Sequence, residues 1–285
     1  MIPIPPLDIL FDPECGIDLP LPGDLRAAYG RLQFPPPGPV PHVIANFVAS
    51  LDGVVALGTP GVTDGDAISG ANLHDSMIMG LLRASSGAVI VGAGTLKNSP
   101  RHVWTPGFVY PPFESAYRIL RARLGMHDPP CFIAVTARGD LDLSLPAFTE
   151  ANTPAAIITT EAGERRIRSD GIPAGVRVIA ADAGPKITVH RLLEAVLTLV
   201  PGAGILLVEG GPRLIGQFID AGDLNELFLT VSPRVAGRDG TTDRPGLIAG
   251  TAFLPDRLVT GNLNGVRKAG SHLFLRYSFV PPGQR

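Results

Sequence analysis

The run Ala88-Val89-Ile90-Val91 passes straight into Gly92-Ala93-Gly94-Thr95, and this junction constrains the fold more than any other stretch of the chain. Consecutive apolar residues, mostly β-branched, suit a strand buried on both faces. The glycines that follow tolerate positive φ and carry no Cβ, so successive backbone N–H groups can turn inward around an anion while the threonine hydroxyl adds a donor. The arrangement returns in Leu206-Leu207-Val208-Glu209-Gly210-Gly211-Pro212, with a carboxylate at the strand end and proline at a first helical position. Two glycine turns at the carboxyl ends of strands point to one crevice that grips a long phosphate-bearing ligand, such as a nucleotide. Neither turn has the Gly-Lys-Ser/Thr ending of a phosphate loop, and no complete G-x-G-x-x-G is present.

With 45% hydrophobic residues among 285, the chain can build an ample core. Its formal net charge of -2, without a basic run, lacks the electrostatic footprint of a nucleic-acid binder. Cys15 and Cys131 lie far apart with no C-x-x-C companion, which fits free thiols in a reducing compartment and argues against a structural zinc site. The sequence has no secretory start and no apolar segment of membrane length, so a cytoplasmic protein without a membrane partner is expected. Prolines crowd residues 1–40, where each fixes φ and removes a donor. That stretch reads as an extension with at most a short helix around residues 25–32, a partly ordered tail by the plainer reading, with lying over the domain surface or reaching a second subunit as the alternatives.

From His42 onward, β-rich runs alternate with segments of helical period, the pattern of an α/β domain on a largely parallel sheet. Strands are predicted at residues 43–49, 88–91, 131–135, 155–159, 176–179 and 205–208. Helical spacing appears over residues 73–84, through Leu73, Met77, Leu81 and Leu82, and again through Leu192, Ala195, Val196 and Leu199. Strands predicted at 227–231, 257–263 and 272–280 have no long helix between them, so an antiparallel finish is expected. Residues 41–285 therefore read as one domain.

The first strand ends in Ala49-Ser50-Leu51-Asp52-Gly53, a third polar turn where open α/β sheets put their ligands. A β-turn in which Ser50 and Asp52 bond their own backbone is the other reading. Arg83 ends an apolar helix just before the glycine turn, suited either to the helix dipole or to a substrate phosphate.

Together these motifs resemble the NADP-dependent pyrimidine reductases of riboflavin biosynthesis, which share the dihydrofolate reductase-like fold. The resemblance runs from Val43 to Val280. It rests on Ala49 to Gly53, on Leu82-Arg83-Ala84 leading into Val91 to Thr95, and on Glu209-Gly210-Gly211 followed by Asn225-Glu226-Leu227 and Pro233. It implies an α/β fold with a mostly parallel central sheet, flanking helices and antiparallel C-terminal strands. It also implies NADPH as cofactor, a pyrimidine ribosylamine phosphate as substrate and a homodimer. No segment matches the His and Cys ligands of the zinc deaminase domain carried by the bacterial bifunctional enzyme, so a stand-alone reductase is expected.

By that resemblance Gly92, Gly94 and Thr95, with Gly210, Gly211, Pro212, Arg213 and Leu214, hold the cofactor's phosphates. The backbone at Val48 and Ser50 meets the nicotinamide end, and Asn46, Arg83 and Glu209 face the substrate. Thr136 and Arg138 fall where the adenosine half is read. Arg138 is the candidate for the 2′-phosphate, since a guanidinium pairs a phosphate with two bonds; a solvated loop arginine is the other reading. Hydride transfer to the ribosylamino carbon calls for a proton as well, and Asp52 and Glu209 are the candidate acids, with water as the alternative.

The chain departs from the family at three places. Asn46 stands where many bacterial relatives have lysine, Lys97-Asn98-Ser99-Pro100-Arg101 lacks the usual Asp-Asp-Pro, and residues 101–125 form an insert carrying Trp104, Phe108, Tyr110, Phe113 and Tyr117. These aromatics suit a lid over the crevice or packing in a core or dimer contact. The alternatives to a pyrimidine reductase are a reductase of another heterocycle such as dihydrofolate, and a nucleotide-binding protein without turnover.

Overall fold

The computed structural model describes residues 4–58, 64–150 and 152–279. In chain order its strands are β1 (Asp8–Phe11), β2 (Ile17–Asp18), β3 (Gln33–Phe34), β4 (His42–Ala49), β5 (Ala88–Gly92) and β6 (Cys131–Val135). They continue as β7 (Ala155–Thr160), β8 (Arg177–Asp182), β9 (Ile205–Val208), β10 (Glu226–Val231), β11 (Gly261–Ala269) and β12 (His272–Phe279). The short β2 and β3 pair with each other, and all the rest join one 10-stranded sheet in the order β1-β11-β12-β10-β4-β9-β5-β6-β7-β8. From β10 to β8 every neighbour is parallel. On the other side β12, β11 and β1 finish the sheet antiparallel.

The continuous apolar runs follow from burial on both faces. Val89 and Val91 of β5 and Leu207 of β9 enter one core, whereas Ala88, Ile90, Leu206 and Val208 enter the other, because side chains alternate along a strand. The Leu73–Ser85 helix lays Met77, Ile78, Leu81 and Leu82 on the first core. The helices Val189–Leu199 and Pro212–Ala221 put Leu192, Val196, Ile215 and Phe218 into the second. Asn72 caps the first of these helices by accepting from the backbone N–H of His74 and Asp75. No helix among the described residues is long and apolar enough to cross a membrane.

The expected antiparallel finish is found: β10, the strand predicted at 227–231, pairs antiparallel with β12 and β12 with β11, while the other edge of β10 runs parallel to β4. Two sequence expectations are corrected. The strand predicted at 257–263 begins only at Gly261, after a single 3-10 turn at Pro255–Arg257. Val280, the end of the last predicted strand, lies outside the described residues.

The second correction concerns residues 4–40, which pack on the domain, as the surface-covering reading has it, instead of trailing from it as a tail. Here β1 pairs antiparallel with β11 at the sheet edge. The Gly23–Tyr29 helix buries Leu25, Ala28 and Tyr29, and Leu21, Leu32 and Phe34 join the same core. Irregular, proline-rich backbone leaves carbonyls without ladder partners, and buried arginines supply the missing donors. Arg267 donates to the Tyr29 and Arg31 carbonyls at 3.0 and 2.8 Å and to Asp12 at 3.0 Å. Arg276 donates to the Gln33 carbonyl while pairing with the buried Glu226. Proline content therefore excluded long regular elements here without excluding burial.

A Leu25→Ala variant is expected to lose roughly 2–5 kcal/mol in urea unfolding, the cost of a cavity in a packed core. A detached tail would leave the midpoint unmoved.

Candidate functional site

The carboxyl ends of the parallel strands open into a cleft of about 860 Å³, where ligands of open α/β sheets bind. Two glycine turns meet at its centre. The Gly92 N–H donates to the Gly210 carbonyl at 2.6 Å. A Cβ on Gly210, whose φ is +134°, would lie 2.7 Å from Thr95 Oγ1, so only glycine fits beneath that hydroxyl. A Cβ on Gly94 would meet nothing within 4 Å, so this residue leaves the cleft wall open.

The Pro212–Ala221 helix starts at Gly211 without a side-chain cap, and Pro212 has no N–H to satisfy. Its positive end is therefore presented to the cleft through Gly210 to Leu214. Lys97, Arg138, Lys186 and Arg213 also line the cleft, all exposed. None of the four side chains has a protein partner among the described residues. Arg138 and Lys186 follow the ends of β6 and β8, beside Thr136, whose hydroxyl accepts from Gly139 N–H at 3.1 Å and shapes that turn.

Arg83 is 1% exposed and every arm of its guanidinium is occupied. Nε and Nη2 reach the two Glu209 oxygens at 2.9 and 2.6 Å. Nη1 donates to the carbonyls of Val103 and Thr105, and Nη2 also donates to His102 Nε2 at 2.9 Å. Burial, and then the Arg83 charge, hold the His102 imidazolium down to about 2, so this ring is neutral and accepts at Nε2. The structure thus joins Arg83 and Glu209, both singled out in the sequence, but it joins them to each other. Arg83 offers no vacant fork for a substrate phosphate.

The insert makes this possible. Trp104 stacks on Phe132 with centroids 5.0 Å apart, and Tyr110 and Tyr117 are buried with it in the core. His102 packs edge-on between Trp104 and Phe108. His102, Trp104 and Phe108 also face the cleft. The aromatics are therefore mostly core, with one edge serving as a cleft wall.

Of the residues expected from the sequence, Asn46, Val48, Gly92, Gly94, Thr95, Thr136 and Arg138 line the cleft, as do Glu209 to Leu214. Ser50 and Asp52 do not. Asp52 Oδ1 accepts from Ser50 Oγ at 2.6 Å and from Ala236 N–H at 3.0 Å, and Oδ2 accepts from Gly237 N–H at 2.8 Å. The Ser50 hydroxyl and these backbone donors hold the Asp52 carboxyl well below the usual carboxylate range. Ser50 Oγ accepts from Val54 N–H, as the turn reading expects, but Asp52 bonds the distant backbone of Ala236 and Gly237 and so braces two loops together.

Sequence reasoning missed Asp75 and Lys186. Asp75, Met79 and Arg83 recur at intervals of four on the Leu73–Ser85 helix and all line the cleft. Stepping back from Arg83 by helical turns would have found Asp75. Burial pushes its carboxyl up to about 6 against a hydrogen bond from Thr230, with the charges of Asp66 and Glu209 adding to the rise. Lys186 sits in the loop after a parallel strand, which is itself the signal for a ligand-facing side chain.

The model of the RibD C-terminal domain matches residues 41–271. No curated protein matches the chain in sequence. Among solved structures, a pyrimidine reductase-like protein of Corynebacterium diphtheriae is 21% identical with a TM-score of 0.61, over 84% of this chain and 92% of that one. The diaminohydroxyphosphoribosylaminopyrimidine deaminase/5-amino-6-(5-phosphoribosylamino)uracil reductase of Thermotoga maritima is 18% identical with a TM-score of 0.60. That match covers 85% of this chain and 57% of the bifunctional protein, so the chain spans little more than half its length. The riboflavin biosynthesis reductase Rib7 of Saccharomyces cerevisiae is 17% identical with a TM-score of 0.56, over 85% of this chain and 90% of that one. At these identities the solved structures establish a shared fold alone.

The buried pair sets its own expectation. Arg83→Met is expected to cost about 3–5 kcal/mol in urea unfolding, because it strands Glu209 without its counter-charge. The double variant Arg83→Met/Glu209→Leu should regain much of that loss. Simple addition of the two single losses would contradict the pairing.

Proposed function

The chain belongs to the RibD C-terminal domain family, and from that membership we propose that it is an NADPH-dependent reductase of riboflavin biosynthesis, converting a pyrimidine ribosylamine phosphate into its ribitylamino product. The observation that carries this reading is the cleft itself. Two interlocked glycine turns, an uncapped helix end and exposed cations line it together with Asn46, Asp75 and Glu209.

The donor set fits a dinucleotide. Backbone N–H groups at Gly94 and Gly211, the Thr95 hydroxyl and the positive end of the Pro212–Ala221 helix suit a diphosphate. Arg138 and Lys186 suit an additional phosphate on the adenosine half, which favours NADPH over NADH. A bound reduced nicotinamide supplies the hydride. The chain's own residues align the reactants and exclude water, with Trp104 and Phe108 closing the wall beside the polar groups. In this reading the protein is a cytoplasmic homodimer, consistent with its free Cys15 and Cys131. Residues 1–40 are an extension, packed over residues 4–40 on a reductase domain that takes up residues 41–285.

Mixing purified protein with NADPH and the ribosylamino-pyrimidine phosphate is expected to consume the cofactor's absorbance only when both are present. Saturable cofactor binding without turnover would remove the substrate assignment. The paired change Arg138→Ala/Lys186→Ala is expected to raise the KM for NADPH by about 10-fold or more while leaving that for NADH nearly unchanged. Equal effects on both cofactors would contradict a 2′-phosphate role.

A further inference from the structure

Five carboxylates line the cleft, Asp64, Asp66, Asp75, Glu209 and Asp243, and they are not equivalent: Asp64 accepts from the Leu57 N–H and the Asn98 amide, and Asp243 belongs to the loop before Pro245. Glu209 is engaged with Arg83 through both oxygens. Asp66 is exposed on the Asp64–Ser69 helix. Asp75 is 5% exposed yet still lines the cleft, on the same helical stripe as Met79 and Arg83. Its neighbours are set by strand register: Asn46 lies opposite Phe228 and Val48 opposite Thr230 on β10, and the Thr230 hydroxyl bonds the Asp75 carboxyl. From the elements packed around it the charges acting on Asp75 are both negative, Asp66 from one helix and Glu209 from the end of β9. Arg83, the cation on its own helix, is turned to Glu209. A carboxyl that is buried, faces like charges and opens on a cleft is built to hold a proton.

Resting on the reductase reading above, we propose that Asp75 is the catalytic acid of this cleft, delivering its proton to the ring oxygen of the bound ribosylamine. The proton leaves Asp75 for that oxygen, and the bond from oxygen to the anomeric carbon breaks with its electron pair staying on oxygen. The exocyclic nitrogen lone pair closes a C=N bond, giving an iminium. Hydride from the reduced nicotinamide saturates that carbon, and water returns a proton to the Asp75 carboxylate. The sum is one proton and one hydride added, an opened sugar and an oxidised nicotinamide.

Asp75→Asn keeps the shape and the helix position while removing the acid. Its kcat is expected to fall about 100-fold or more with NADPH affinity unchanged, and the loss of activity that the parent shows as pH rises above about 6 should disappear. A second readout needs no turnover. A carboxyl whose pKa is raised from 3.8 to about 6 on folding contributes stability that is complete below the lower value and lost as pH rises through the upper one. Asp75→Asn should therefore melt above the parent at pH well beyond about 6 and match it in strong acid. Near-parental kcat in the variant, with the parent active, would overturn the assignment and leave the reductase reading standing. A variant that melts below the parent at every pH would make Asp75 structural and overturn it as well. A parent inactive on the ribosylamine would overturn both.

Discussion

Arg83 is a full positive charge sealed among apolar side chains, and much of the site's geometry follows from having to satisfy it. Removing such an ion from water costs several kcal/mol, and only complete, well-directed hydrogen bonding offsets that cost. Glu209 answers with both oxygens, which fixes the residue immediately before Gly210 and so the turn that zips against Gly92. Val103, Thr105 and His102 take the remaining donors, which ties the aromatic insert to the Leu73–Ser85 helix. Arg121 completes the arrangement from beneath, donating to the carbonyls of Arg83, Ala84 and Ser86 where that helix ends. Helix end, strand end, insert and glycine turn are thus locked by one charge and its neighbours, and preorganisation of the cleft is a consequence.

That lock gives the cleft a polarity. Cations stand after the ends of β6 and β8 and beside the uncapped helix, whereas Asp75 and Glu209 line the cleft where the Leu73–Ser85 helix packs on β4 and β9. An anionic dinucleotide is drawn to the first region, and a group that must be protonated during reduction suits the second. Asn46 lines the same cleft as a neutral hydrogen-bonding group.

The parallel core was legible because β5, β6 and β9 are buried on both faces, which leaves uninterrupted apolar runs, ending in glycine at β5 and in a carboxylate just past β9. The glycine turns and Arg83 and Glu209 were legible for the same local reason, but their pairing spans 126 positions and depends on strand order that no local pattern encodes. Residues 4–40 were misjudged because proline density was weighed and the spaced apolar anchors Leu21, Leu25, Leu32 and Phe34 were not. Asp52 drew attention as a polar strand-end residue, while its partners Ala236 and Gly237 come from a loop far along the chain. Asp75 went unnoticed because an acid in the first turn of a helix has an ordinary explanation in the helix dipole.

A cleft that aligns a nicotinamide with the anomeric carbon of a ribosylamine must deliver hydride to that carbon alone. Running the reaction with deuterium at the hydride position of NADPH and locating the label in the product by NMR reads this out. One deuteron is expected on the former anomeric carbon of the ribityl chain, with none exchanged into solvent. Deuterium lost to water, or found at any other carbon, would contradict it.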